Sequence, residues 1–352
     1  MNKKQIVITA LFVIVFGMFL TACTEEKEPE TIAPTGIGIN AQKVLVAGAK
    51  ENLEVPLTIE PKDAYPADIA LTTSDEKVAT ATIGAIDDNG NVITAAEQQK
   101  KKDELAKTDK EASEEITVPT NSAIITGVGY GECEITATLD KFSDNCKVTV
   151  ADKQVALTFD DGACPETLTL LKGLKKEDVS TTFFIVGEMT ERSDHIEALK
   201  QAIKDGHEIG NHTYNHNAGA TTLKKELAKA DKVIVKAGGE KSKLMRPPGG
   251  AINRKTMKCG KSIIMWSVDT MDWRDRDAGV VSRRIVKESR DGDIVLLHDL
   301  HKTSVKGALK AIPKLKKKGF YVTTVTDLLG APKANTEYKK ADKKTESRII
   351  KK

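Results

Sequence analysis

The chain has 352 residues, 39% hydrophobic and 30% charged, enough for two ordinary domains each with its own core. Its 54 basic and 51 acidic residues are interspersed and leave a net charge of only +3, so no basic stripe marks a nucleic-acid partner. Five cysteines do not make a disulfide scaffold.

Lys3 and Lys4 precede an apolar run over 6–20, the charged-then-hydrophobic layout of a secretory signal. The run is too short and too weakly flanked for a stable membrane span. It ends in Leu20-Thr21-Ala22-Cys23, which resembles the lipobox of bacterial lipoproteins. The resemblance implies a signal peptide over 1–23, lipidation of Cys23, and an extracytoplasmic protein held at the bacterial cell membrane, facing the wall. Two acyl chains on one cysteine suffice for stable anchoring. An ordinary signal peptide or anchor with an incidental cysteine is the alternative. Residues 24–36 are acidic, Pro-containing and without periodicity, and read as an extended linker.

Over 37–151 short alternating runs at 53–59, 78–82, 91–94, 123–126, 132–138 and 147–150 predict an all-β sandwich. Asp88-Asn89-Gly90 is a hairpin signal. Thr73-Ser74-Asp75-Glu76-Lys77-Val78, followed by Gly127-Val128-Gly129-Tyr130-Gly131 and Ile135-Thr136-Ala137, resembles bacterial immunoglobulin-like (Ig-like) domains of group 2. The tryptophan often found before the Ser-Asp stretch is missing, and a charged insertion over 95–119 reads as a solvated helix or a disordered loop. Cys133 and Cys146 stand on the two arms of the last hairpin; an oxidising compartment permits a disulfide there, and spacing alone does not decide it.

From 152 to 332 the rhythm becomes strand and helix in alternation. Runs rich in β-branched residues at 155–159, 181–186, 208–211, 244–246, 263–268, 293–297 and 321–325 are separated by amphipathic stretches at 166–176, 196–204, 223–235, 280–287 and 305–316. This predicts parallel strands with right-handed crossovers, and about seven such units suit a closed or nearly closed barrel. Residues 333–352 are polar and basic and read as a disordered tail.

Candidate chemistry gathers at the carboxyl ends of these strands, where α/β barrels place their sites. Asp160-Asp161-Gly162 ends the first strand. Adjacent side chains there point in different directions, so one carboxylate can ligate a cation while the other handles protons; a plain turn is the alternative. His212 and His216, four apart, fall on one face of a helical turn and with one Asp make three ligands with positions left open, as in a catalytic zinc site. Surface or core histidines are the alternative, and are the reading kept for His195 and His207. Arg246-Pro247-Pro248-Gly249-Gly250 adds a permanent cation and a loop whose glycine admits close backbone approach; Asp269, Asp272 and Trp273 follow the next strand, and Leu296 and His298 share a face of the one after.

In this order, Thr158 to Gly162, His212 to His216, Arg246 to Gly250, Asp269 to Trp273 and Leu296 to His298 resemble the motifs of the polysaccharide deacetylase family (carbohydrate esterase family 4, the NodB-homology domain) over about 152–332. Ala163 replaces a common proline, and Gly249 stands where many members carry an aromatic. The resemblance implies a multidomain protein: a distorted (β/α)7-type barrel catalytic domain behind the Ig-like sandwich. It assigns a divalent metal, zinc first and cobalt or another ion as alternatives, to Asp161, His212 and His216. Asp160 becomes the general base oriented by Arg246, and His298 the general acid aligned by Asp272. A backbone N–H near Gly249 meets the oxyanion, and Trp273 and Leu296 wall the acetyl pocket unless they are simply core.

The implied activity is removal of N-acetyl groups from an amino-sugar polymer, peptidoglycan N-acetylglucosamine being favoured by location, with acetate released by a monomeric enzyme. O-acetyl esterase action on xylan, an inert glycan-binding surface protein and, more remotely, a non-haem iron oxygenase built on two His and one carboxylate remain as alternatives.

Overall fold

The structure is a computed structural model, described here over residues 33–62, 69–118, 122–217, 222–342 and 345–350. The lipobox with Cys23 and most of the expected linker lie outside the described residues. Among the described residues, no helix is long and apolar enough to cross a membrane.

The first half comprises β1 (Gly36–Ile39), β2 (Lys43–Val46), β3 (Asn52–Glu60), β4 (Ala70–Thr73), β5 (Ala79–Ile86), β6 (Val92–Thr94), α1 (Ala95–Leu105), α2 (Lys110–Glu114), β7 (Ser122–Gly127), β8 (Gly131–Leu139) and β9 (Phe142–Val150). One sheet has the order β1-β3-β7-β5-β6, and β2, β9, β8 and β4 run side by side in another. Alternating inward residues such as Val44, Val46, Ile125, Ile135 and Val148 form a single apolar core. The Asp88-Asn89-Gly90 hairpin joins β5 to β6, with Gly90 in the left-handed region (φ +84°) that its turn requires. The charged insertion is helical: Thr94 and Glu97 close a capping box at the start of α1, and α1 buries none of its residues. The last hairpin sets Cys133 opposite Val148 and Cys146 opposite Ile135, so the two thiols are diagonal neighbours, and both are free.

The second half alternates as expected: β10 (Lys153–Asp161), α3 (Pro165–Lys176), β11 (Thr182–Ile185), α4 (Gly187–Thr190), α5 (Ser193–Lys204), β12 (Glu208–Asn211), α6 (Leu223–Lys236), β13 (Leu244–Met245), β14 (Ser262–Ile264), β15 (Val268–Asp269), α7 (Asp272–Asp275), α8 (Ala278–Glu288), β16 (Asp293–His298), α9 (Lys302–Lys317), β17 (Phe320–Thr323) and α10 (Val325–Leu329). The strands form a curled parallel sheet in the order β15-β16-β10-β11-β12-β13-β14, with β17 on the lower part of β10. On β10 the odd residues Val155, Leu157 and Phe159 join the helix-facing core, while Ala156 joins Phe184, Leu244, Ile264 and Ile294 inside the curl. Thr158 and Asp160 continue that inner face toward the site. β10 is buried on both faces between its part-buried end residues, Lys153 and Asp161.

Two features differ from the sequence reading. The run over 263–268 is two short strands, β14 pairing with β13 and β15 with β16, so one segment bridges both margins of the curled sheet. The described residues after Pro332 do not form a disordered tail. They add β18 (Glu337–Tyr338) to β14, bridge Lys340 to Asp293, and end in β19 (Arg348–Ile349), antiparallel to β2 of the sandwich. Short polar strands of two residues carry no hydrophobic periodicity; they are held by partners far away in sequence.

The two halves meet at the amino-terminal end of the barrel strands. Lys43 and Lys147 pair with Asp178 (3.0 and 2.8 Å), Lys316 with Glu132 (3.0 Å), and Tyr130 donates to Asp152 (2.5 Å). Arg348 donates to Gln154 (2.7 Å), and Ser347 Oγ accepts the Ala47 amide (2.8 Å). The carboxyl ends of the strands, where the candidate residues sit, lie at the other end of the barrel.

Candidate active site

Asp160 and Asp161 end β10, and strand pairing places His298 at the end of β16 directly opposite Asp160. His212 leaves β12, and Arg246 leaves β13 with its amide bonded to Asn211 O at 3.0 Å. The inner-face alternation of a parallel sheet thus converges these side chains at one mouth.

Asp161 Oδ1 lies 3.6 Å from His212 Nε2 and 3.3 Å from His216 Nε2, and the ligand atoms of all three lie within 4.8 Å of one another. The two imidazoles do not share a helical turn. Residues 212–217 form an irregular bend in which Thr213 (φ +68°) and His216 (φ +59°) take left-handed backbone, as does Asp161 (φ +74°). That strain buys convergence: the rings stand 5.0 Å apart.

The donor set suits a divalent ion on two further counts. Asp161 Oδ1 is buried without a hydrogen-bond partner, an expensive state for a carboxylate oxygen. His212 Nδ1 lies 2.7 Å from Arg246 O, which fixes the tautomer that leaves Nε2 free as a ligand. Burial pushes the His212 imidazole toward its neutral, metal-binding form.

Arg246 is fully buried inside the barrel and serves four acceptors. Nη1 donates to Asp160 Oδ1 and Thr158 Oγ1, both at 2.7 Å; Nε donates to Ile264 O and Nη2 to Met265 O, both at 3.0 Å. Its plane sits over Phe184 (4.3 Å) and Trp266 (5.6 Å). Asp160 Oδ1 is therefore held on the guanidinium, and Oδ2 is turned toward His212 Nε2 at 3.7 Å. The carbonyls of Ile264 and Met265 turn inward to Arg246, which explains why strand pairing lapses between β14 and β15.

On the opposite wall, Asp272 is fully buried; Oδ1 lies 2.9 Å from His298 Nδ1, and Oδ2 accepts the His298 amide at 2.8 Å. Burial disfavours the imidazolium, but the Asp272 hydrogen bond and charge, joined by the charges of Asp160 and Asp161, outweigh it and lift His298 to about 9. Leu296 is buried one turn of the pleat below His298, whereas Trp273 is half exposed on the rim. Gly249 has φ +60° in a short 3-10 turn, a conformation that favours glycine. Asp269 caps its own loop through the Met271 amide (2.9 Å). His195 and His207 lie away from this mouth, bonded to Met189 O and to the Thr181 amide.

Sequence reasoning passed over Thr158, Trp266 and Asp299. Thr158 was legible, since it shares an inner face with Asp160. Asp299 was not: it is buried behind Gly162, accepts a hydrogen bond from Thr167, and has burial, opposed by that bond and aided by the Asp161 charge, lifting it to about 7. A side chain on Gly162 would collide with the Asp299 carboxylate, so this glycine is required by close approach.

A model of the family described as polysaccharide deacetylase matches residues 147–265. A peptidoglycan-N-acetylglucosamine deacetylase of Bacillus cereus is 37% identical over 195 residues, covering 51% of this chain and 89% of that protein. The chain belongs to the polysaccharide deacetylase family. The peptidoglycan-N-acetylglucosamine deacetylase PgdA of Listeria monocytogenes is 34% identical over 206 residues, 57% of this chain; the match spans only 43% of that longer relative. Among solved structures, a deacetylase determined with substrate is similar at 33% identity and a TM-score of 0.51, over 53% of this chain and 96% of that one. A family 4 acetyl xylan esterase from Clostridium thermocellum in complex with a cobalt ion is similar at 28% identity and a TM-score of 0.50, over 54% of this chain and all of that one. All of the sandwich but the end of β9 lies outside the family match, and its relation to Ig-like domains rests on the sequence motifs alone.

Proposed function

We propose that this family member removes N-acetyl groups from the N-acetylglucosamine of peptidoglycan, releasing acetate and leaving a free amine. The observation that carries the reading is the convergence at one barrel mouth of an Asp-His-His triad, an arginine-held carboxylate and an aspartate-held histidine. The relatives from Listeria and Bacillus cereus favour peptidoglycan as the polymer. Asp161, His212 and His216 are the residues that would hold the ion, zinc being our choice; when bound, it supplies Lewis-acid polarisation of the acetyl carbonyl and acidifies water for attack. Asp160 takes the proton of the attacking water, its lone pairs aimed by Arg246. His298, kept charged by Asp272, delivers a proton to the departing nitrogen, which otherwise leaves as an unstable amide anion. The Gly249 loop supplies a backbone N–H for the oxyanion, with Leu296 and Trp273 beside the acetyl methyl.

We further propose that Cys23 is lipidated, that the enzyme works as a monomer outside the cytoplasm on the bacterial membrane, and that the Ig-like sandwich is a spacer. Its attachment to the end of the barrel away from the mouth supports a spacer over a substrate clamp. The test is acetate release from N-acetylglucosamine oligomers, peptidoglycan and acetylxylan in parallel, with metal content measured on each variant. Asp160→Asn should lose about 100-fold or more in kcat while keeping its metal. His212→Ala should lose metal and turnover together. Turnover confined to acetylxylan, or activity unmoved by Asp160→Asn, would overturn the reading.

A further inference from the structure

Between the start of α6 and the segment that follows Gly250 runs a groove of about 480 Å³ whose charged lining is entirely cationic: Lys224, Lys225, Arg254, Lys255 and Lys258. All five are exposed, and none has a carboxylate partner among the described residues. In a chain with 54 basic and 51 acidic residues, five cations and no acid around one groove is a local field that the balanced composition does not produce by itself.

Both walls are continuous with the site. On one side, the Asn215 amide donates to Glu226 of α6 at 3.1 Å, fastening the histidine loop to the helix that carries Lys224 and Lys225. On the other, the turn at Pro248–Gly250 leads within a few residues to Arg254, and Gly250 packs against Trp266, the ring beside Arg246. Asn253 bonds the Lys255 amide (2.8 Å) and fixes the segment that presents Arg254 and Lys255. A glycan strand extending from the mouth on this side would meet both walls.

We propose that this groove binds free carboxylates carried by the glycan strand being deacetylated, so that the enzyme selects an acidic, peptide-substituted wall strand over a neutral polysaccharide. The inference rests on the deacetylase reading and sharpens its substrate class. Carboxylates of the attached peptides recur along such a strand, and a lactyl carboxylate is free wherever the peptide is missing, whereas chitin-like oligomers and acetylxylan backbones offer none. Exposed ion pairs are individually weak and screened by salt, so the groove contributes to affinity and leaves the chemical step alone.

The test uses the full chain and the Arg254→Gln/Lys255→Gln/Lys258→Gln variant, none of whose positions belongs to the catalytic set. Acetate release is measured on peptide-bearing glycan and on neutral N-acetylglucosamine oligomers. Three exposed pairs predict a KM roughly 3- to 10-fold higher on the charged substrate, with kcat unchanged and no effect on the neutral one. In parallel, wild type and variant are sedimented with insoluble wall glycan and with the same material after carboxylate amidation, at low and high salt. Wild-type binding should fall on amidation and with salt, and variant binding, with only Lys224 and Lys225 left in the groove, should respond markedly less to both. Equal KM changes on both substrates, or wild-type binding indifferent to amidation, would overturn the groove's role even if acetate is released. Binding that discriminates without acetate release from any substrate would sink the deacetylase reading and leave the groove standing.

Discussion

At the scale of single residues, the site is two carboxylate-cation pairs of opposite purpose. Arg246 holds the Asp160 side chain still, while Asp272 keeps His298 protonated. The second pair gives a pH signature. His298 is raised from an ordinary imidazole value to about 9, so the stabilisation it lends is full below about 6.5 and is lost as pH rises through about 9. For metal-free protein we expect on the order of 3 kcal/mol to disappear across that window, read as thermal unfolding against pH after chelation. Asp272→Asn should flatten this dependence and move the alkaline limb of kcat/KM toward neutrality. A profile unchanged by the substitution would separate His298 from the acid role. The positions of these side chains were legible because most of them lie at or just beyond the end of an apolar strand run; Thr158, two residues before Asp160 on the same face, needed only the alternation rule. Asp299 was hidden because its importance comes from burial behind Gly162, which no spacing encodes.

Among elements, the alternation of buried and amphipathic runs located the main barrel strands and helices, since burial on one stripe or both faces is a periodic property. What periodicity missed was broken by partners. The run over 263–268 divides because two of its carbonyls serve Arg246, and the bend from His212 to His216 abandons helical geometry to bring two rings to Asp161. Arg246→Lys tests the first point. A lysine keeps the charge but cannot reach four acceptors in a plane, so Asp160 and the carbonyls lose partners in a dry interior. We expect a loss of about 3 kcal/mol in chemical denaturation along with most of the turnover; a near-neutral result would mean that Asp160 is positioned by something else.

On the scale of the whole molecule, the sandwich and the barrel share a boundary of ion pairs and the closing segment of the chain. The pairs of Lys43 and Lys147 with Asp178 are partly exposed and count for little alone. The segment over 345–350 contributes more: Arg348 bonds Gln154 in the barrel, and Ile349 packs on the sandwich core. A combined Arg348→Ala and Ile349→Asp variant should lower sandwich stability by about 1–3 kcal/mol and split one calorimetric transition into two. A single unshifted transition would show that the ion pairs suffice.

The placement of β19 on β2 also has a consequence in time. Val44 and Leu45 emerge from the ribosome roughly 300 residues before Arg348 and Ile349, their antiparallel neighbours. Until those arrive, one margin of the newborn sandwich stands open with unclaimed amides and carbonyls, a template for mispairing with other nascent chains. The molecule therefore seals the β2 edge with residues made about 300 positions later, and its safest interval for meeting a chaperone lies between those two events.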